Sequence, residues 1–228
     1  MKISLCLLVA VIAVAFLSQS QARTLPSSDR PAVAVNQPSP ATLTPEERKA
    51  LLDLLIKTKQ DFIQSIQGLS QAQWEFKPSP FAWSCAQTSE HIILSEAYIF
   101  GYSQQVMKAP VGERTGHSAE ETDKGLMTKV GDRSHRIMNP AAIAPKNPHK
   151  TPAEAIAAFT EARDKTIEYV KNTQDDLRHH LAPDGTGGQL DAYEMVMLLA
   201  AHSGRHTAQI KEIQGNPKYP VSGAAAGQ

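Results

Sequence analysis

The chain has 228 residues, and its 23 Lys and Arg balance 23 Asp and Glu to a formal net charge of zero. That balance, with no long basic or acidic block, argues against nucleic acid or an anionic membrane surface as a partner. The cysteines are Cys6 and Cys85; the first lies in a leader read as removed, so no disulfide framework holds the fold and a hydrophobic core must.

Lys2, the apolar run Leu5 to Leu17, and Ser20-Gln21-Ala22 with small residues at the −3 and −1 positions have the order of a secretory signal cleaved after Ala22. The run is too short to span a bilayer comfortably, and no lipid-acceptor cysteine follows it. Residues 1–22 are therefore expected to be a signal peptide, and the mature chain to be periplasmic or secreted with no stable membrane anchor. Residues 23–43, rich in Pro, Ser and Ala without periodicity, read as a flexible linker.

Four helices are predicted between 44 and 215. The first opens at Thr44-Pro45-Glu46-Glu47, with Thr as N-cap, Pro at N1 and Glu at N3, and carries the stripe Leu51, Leu55, Phe62, Ile66, Leu69. The second opens at Ser84-Cys85-Ala86-Gln87 and runs to about Met107. A long connection, 109–150, follows, with a short helix expected near Glu120 to Val130; it is long enough to cross a bundle. The third opens at Thr151-Pro152-Ala153-Glu154 and buries Ile156, Phe159 and Val170. The fourth opens at Asp191-Ala192-Tyr193-Glu194 and ends near Ile213, ahead of Gly215-Asn216-Pro217. Residues 216–228 read as a disordered tail. No run of alternating β-branched residues argues for strands, so the fold class is all-α: a four-helix bundle with a long crossover between its second and third helices.

The fourth helix places Met195, Leu198, Leu199, His202, His206, Gln209 and Ile213 in one broad stripe. Positions i and i+4 lie on one helix face, so His202 and His206 point the same way, and buried imidazoles need a partner. His91 shares a face of the second helix with Leu94 and Tyr98 and also points inward. The bland readings are a rim histidine beside an ordinary hydrogen bond for the pair, and a bond from His91 to a backbone carbonyl or to Tyr98. The sharp reading is a three-histidine metal site with an open coordination position.

Trp83-Ser84 opening a helix, His91 seven residues after that Ser, and the late His202-Ser203-Gly204-Arg205-His206-Thr207-Ala208-Gln209-Ile210 resemble the DinB-like superfamily over Thr44 to Ile213. The resemblance implies a metal-binding four-helix bundle, in a group that includes bacillithiol- and mycothiol-dependent S-transferases. It also implies a triad that maps onto His91, His202 and His206 as ligands.

Ser203 stands where a zincin carries its general-base Glu, so a metalloprotease of that kind is excluded. No G-x-S-x-G, Walker A, G-x-G-x-x-G or C-x-x-C motif occurs, and Gly185-Thr186-Gly187-Gly188 reads as a turn. Glu96 and Glu194 read as solvated helix-face carboxylates, with an acid/base or ligand-supporting role as the alternative. Cys85 reads as a small packed residue, with a reactive thiol whose pKa the helix dipole lowers as the alternative, and Trp74 and Trp83 read as packing the corner between the first two helices. His117, His135, His149, His179 and His180 read as loop histidines, with His117 or His135 able to close over the site. Gln209 is a candidate to bind a metal-held water, or simply to pack. Two functions follow. One is an exported metal-dependent hydrolase or thiol transferase acting on a small molecule, with zinc or nickel fitting three nitrogen donors best and iron or manganese as alternatives. The other is a non-catalytic exported metal-binding or sensing bundle, with a homodimer as an assembly either could adopt.

Overall fold

A computed structural model describes residues 42–134, 140–146, 148–184 and 187–221. The expected leader, all but the last two residues of the expected linker, and 222–228 lie outside the described residues. The elements are α1 (Pro45–Ile66), α2 (Gln71–Glu75), α3 (Cys85–Val106), α4 (Ala119–Gly131), a 3-10 turn (Ala141–Ile143), α5 (Pro152–Asn172), strands β1 (Leu181–Pro183) and β2 (Gln189–Asp191), and α6 (Ala192–Gln214).

Every α-helix starts from a reciprocal capping box. At Thr44, Ser70, Ser84, Ser118, Thr151 and Asp191 the N-cap side-chain oxygen accepts from the N3 backbone N–H, and the N3 Glu or Gln accepts from the N-cap N–H. Such a cap contributes about 1 kcal/mol. Pro45 and Pro152 occupy the first turn, where a missing N–H costs nothing. α1 ends at Ile66, and the turn beyond it contains Gly68, whose φ of 76° suits glycine and few other residues.

The four long helices form a ring in the order α1, α6, α3, α5, each packed on its two neighbours. Gln214 at the end of α6 donates to Ser65 O at the end of α1, so these two helices run parallel. Arg48 near the start of α1 reaches Val170 O and Thr173 O at the end of α5, which is therefore antiparallel to α1. Glu96 with Arg163, and Phe100 with Tyr169, pair α3 and α5 in parallel. Parallel neighbours joined in sequence require the chain to return the whole length of a 22-residue helix, about 33 Å. The crossover does this, with α4 lying along α6 and burying none of its own residues fully. It is tied down at several points. Arg178 bonds Asp123; Arg205 donates to Val130 O and Asp132 O; Arg133 grips Glu212 through two bonds of 2.6 Å.

The interior is layered. One apolar cluster gathers Leu51, Leu55, Ile99, Val106, Val170, Tyr193 and Leu199; a second gathers Phe62, Ile66, Trp74, Cys85, Ile92, Phe159, Ile210 and Ile213. Phe62 and Phe159 meet at 4.3 Å between ring centroids. Between the two clusters, at mid-height, α1 supplies Thr58, α3 Glu96, α5 Arg163 and α6 Ser203. Arg163, fully buried, donates to both Glu96 carboxylate oxygens (2.8 and 2.6 Å), Leu55 O (2.9 Å), Thr58 Oγ1 (2.6 Å) and Ser203 Oγ (3.0 Å). All five guanidinium N–H groups are thereby used.

The long helices and the crossover helix lie where the sequence places them, except that α1 ends at Ile66, short of Leu69, and Ile156 is only partly buried. The structure also adds features that the sequence does not show. Glu96 and Glu194 are not solvated: they are 2% and 0% exposed and paired with Arg163 and Arg114. Ser70-Gln71-Ala72-Gln73 caps the short α2, and residues 181–183 pair with 189–191 as a small antiparallel hairpin ahead of α6. Leu43, in the expected linker, is 5% exposed in the core. The expected fraying end is held as far as Pro220: its carbonyl accepts from Gln73, and Tyr219 packs edge-on to Phe76. Among the described residues no helix is long and apolar enough to cross a membrane.

Candidate metal centre

His91 lies in the second turn of α3, and His202 and His206 lie on the facing turns of α6, just beside the polar layer. The fold brings all three expected ligands together. One ring nitrogen from each lies within 4.8 Å of the others, and ring centroids are 4.4 to 5.0 Å apart. His91 is 0% and His206 8% exposed; His202 is partly exposed.

Hydrogen bonds orient two of the rings. His91 Nδ1–H donates to Ile143 O at 2.7 Å, the carbonyl coming from the 3-10 turn of the crossover. This is the backbone-carbonyl bond weighed as the bland reading of His91, and it leaves Nε2 facing the cluster. His206 Nδ1–H donates to Gln209 Oε1 at 2.8 Å, so Gln209 orients the His206 ring, a role beyond the two expected of it. His91 Nε2 and His202 Nε2 stand 3.2 Å apart, and His202 Nδ1, buried, has no partner among the described residues.

Burial lowers the pKa of all three. For His206, burial and the neighbouring His91, Arg205 and Arg133 press it down to about 3; for His202, burial, the other two rings and Arg205 press it well below the ordinary value. His91 falls through burial, opposed by the Ile143 carbonyl. Three neutral imidazoles, each bringing one nitrogen to a common point, are a donor set that fits a divalent cation. Among the described residues this is the cluster of metal-ligating side chains.

The profile of the DinB superfamily matches residues 54–210. The chain belongs to the DinB superfamily. No curated protein matches it. Among solved structures, this DinB-superfamily bundle resembles YfiT from Bacillus subtilis, described as a probable metal-dependent hydrolase with an unusual four-helix bundle topology. The TM-score is 0.51 at 12% identity, covering 78% of this chain and 92% of that one. At that identity the likeness speaks for the shared fold.

Other expectations about side chains are redirected. Trp74 does pack the corner, 1% exposed, with Nε1–H donating to His149 O at 3.0 Å. Trp83 instead stands at the triad, its ring 5.0 Å from His91 and 6.3 Å from His206. Cys85 is buried, and desolvation raises its thiol to about 11, against the expected dipole effect; it is a packing residue. The side chain of His117 is 84% exposed. His179 bonds Asp176, and His180 donates to Ala109 O. His135 lies outside the described residues. No signal on either helix alone marks Ile143 or Trp83 as neighbours of the site, since both reach it from loops.

Proposed function

We propose that this DinB-superfamily chain is an exported metal-dependent hydrolase of a small molecule, with one divalent cation, zinc or nickel, held by His91, His202 and His206. The observation that carries the reading is the convergence of three imidazoles kept neutral by burial, two of them locked by Nδ1–H bonds to Ile143 and Gln209. The cation supplies a lowered pKa for a bound water or thiol. The chain's own part is to bind that cation without competing protons at neutral pH, to hold the rings in place and to keep the buried side of the site dry. The YfiT fold likeness supports hydrolysis, and the leader pattern of residues 1–22 supports export. Thiol transfer, which superfamily resemblance also implies, would use the same ligands.

Elemental analysis of the untagged mature protein, beside His91→Ala and His202→Ala, tests the ligand set. Near-stoichiometric metal in the parent and its loss in both variants is the expected result. Absence of metal after reconstitution at neutral pH would refute the site. Stoichiometric metal with no turnover across ester, amide and thiol-transfer substrates would favour a binding or sensing protein.

A further inference from the structure

We infer that Trp83 is the specificity wall of this site, and that the site takes a ligand with an anionic head and a flat apolar body. The inference rests on the metal reading above and adds to it a substrate class. Trp83 is the residue before the N-cap of α3, so the capping box at Ser84 fixes where its backbone enters the bundle. Its indole spans two of the three imidazoles, tilted 48° to His91 and 36° to His206. It is partly exposed, whereas His91 behind it is fully buried. The protein's other tryptophan commits its Nε1–H to a backbone carbonyl. The Trp83 Nε1–H has no acceptor among the described residues and is not sealed from solvent. An aromatic face held beside a metal triad, with an unused donor at its edge, is suited to a flat ligand that also offers an acceptor.

The head follows from charge. Three neutral imidazoles leave the two positive charges of a cation uncompensated. Arg133 nearby is held by Glu212 in a two-bond pair, so the uncompensated charge at the head is the cation's own. A cationic head is repelled here and a neutral one only coordinates, whereas a carboxylate, hydroxamate or similar anion also neutralises charge. A planar body attached to that head then lies within reach of the indole.

The test uses zinc-loaded protein and two hydroxamates that share a metal-binding head, acetohydroxamate and benzohydroxamate, titrated by calorimetry into the parent, Trp83→Ala and Trp83→Phe. The parent is expected to bind benzohydroxamate about tenfold more tightly than acetohydroxamate, the scale of one aromatic contact plus its buried area. Trp83→Ala should lose that preference while keeping zinc and its acetohydroxamate affinity, and Trp83→Phe should keep part of it. Equal affinity for the two probes in the parent, or an undiminished preference in Trp83→Ala, overturns the assignment while leaving the metal reading intact. Failure of the parent to retain zinc or bind either hydroxamate overturns both. Should Trp83→Ala not fold, Trp83→Phe decides: a full parental preference there, together with a preference for cyclohexyl over phenyl hydroxamate, excludes a stacking wall.

Discussion

Of the three imidazoles, His202 alone has no hydrogen-bond partner for its Nδ1 among the described residues. A carbonyl only accepts, so His91 must carry its proton on Nδ1 to bond Ile143 O, and its Nε2 is a lone pair. The 3.2 Å approach of the two Nε2 atoms is a hydrogen bond when His202 carries its proton on Nε2, which leaves Nδ1 bare and buried. To offer Nε2 to a cation, His202 must move that proton to Nδ1, while His91 and His206 keep theirs. Nitrogen-15 NMR of the imidazoles is expected to show His202 as the Nε2–H tautomer without metal and the Nδ1–H tautomer with zinc. Zinc bound with an unchanged His202 would mean that this ring does not ligate through Nε2.

At the scale of elements, the start of α6 carries a buried network of charges. Asp191 and Glu194, both 0% exposed, share the Arg114 guanidinium at 2.7 and 2.9 Å, and Arg178 joins Asp191, Asp123 and Glu47 while stacking 3.7 Å over the Tyr193 ring. Burial and the adjacent Asp191 raise Glu194 to about 7, and its Oε1 has no hydrogen-bond partner among the described residues. Because the folded protein holds this proton more tightly than the unfolded chain, the stabilisation is complete below about pH 4.5 and is lost as pH rises through about 7. The shift corresponds to about 3 kcal/mol. The lowered histidines give the opposite slope below pH 6.5, so the comparison must be with Glu194→Gln, in which they are unchanged. In urea denaturation the stability difference between parent and variant should move against the parent by about 2–3 kcal/mol between pH 4.5 and 8. A constant difference would show that Glu194 is ionised throughout.

The same helix shows what could be read from sequence and what could not. The caps at Thr44, Ser84, Thr151 and Asp191 are local: N-cap and N3 are three residues apart, so a short stretch of sequence contains the whole interaction. The His202–His206 pair is legible for the same reason. Glu96 and Glu194 are not, because their environment comes from Arg163 and Arg114, 67 and 80 residues away. A carboxylate on one helix carries no mark of a guanidinium supplied by another element. The contribution of Ile143 is harder still, since it comes from a backbone carbonyl that every residue possesses.

For the whole molecule, the mid-height layer is what fixes four helices in one arrangement. Arg163 on α5 touches α1, α3 and α6 at once, so register errors between apolar stripes would strand a buried charge. Glu96→Ala alone should cost about 3–5 kcal/mol, because the guanidinium is left unpaired in the interior. Replacing the pair together, as Glu96→Leu with Arg163→Met, should cost far less than the sum of the two single changes. Chemical denaturation of the four proteins in the cycle measures this; additive losses would mean that the two groups do not act as a pair.

α6 is the last described helix, yet it lies against α1, α3 and α4 and provides two of the three convergent histidines. His91 must wait for a partner 111 residues further along the chain. A growing polypeptide therefore cannot close either apolar cluster, satisfy Arg163 or assemble the triad until α6 has been synthesised. Folding is deferred until α6 is available instead of proceeding helix by helix from the N-terminus. A chain cut short before Asp191 would leave Leu55, Phe62 and Ile92 facing solvent, and would be a target for aggregation or proteolysis instead of a smaller working domain.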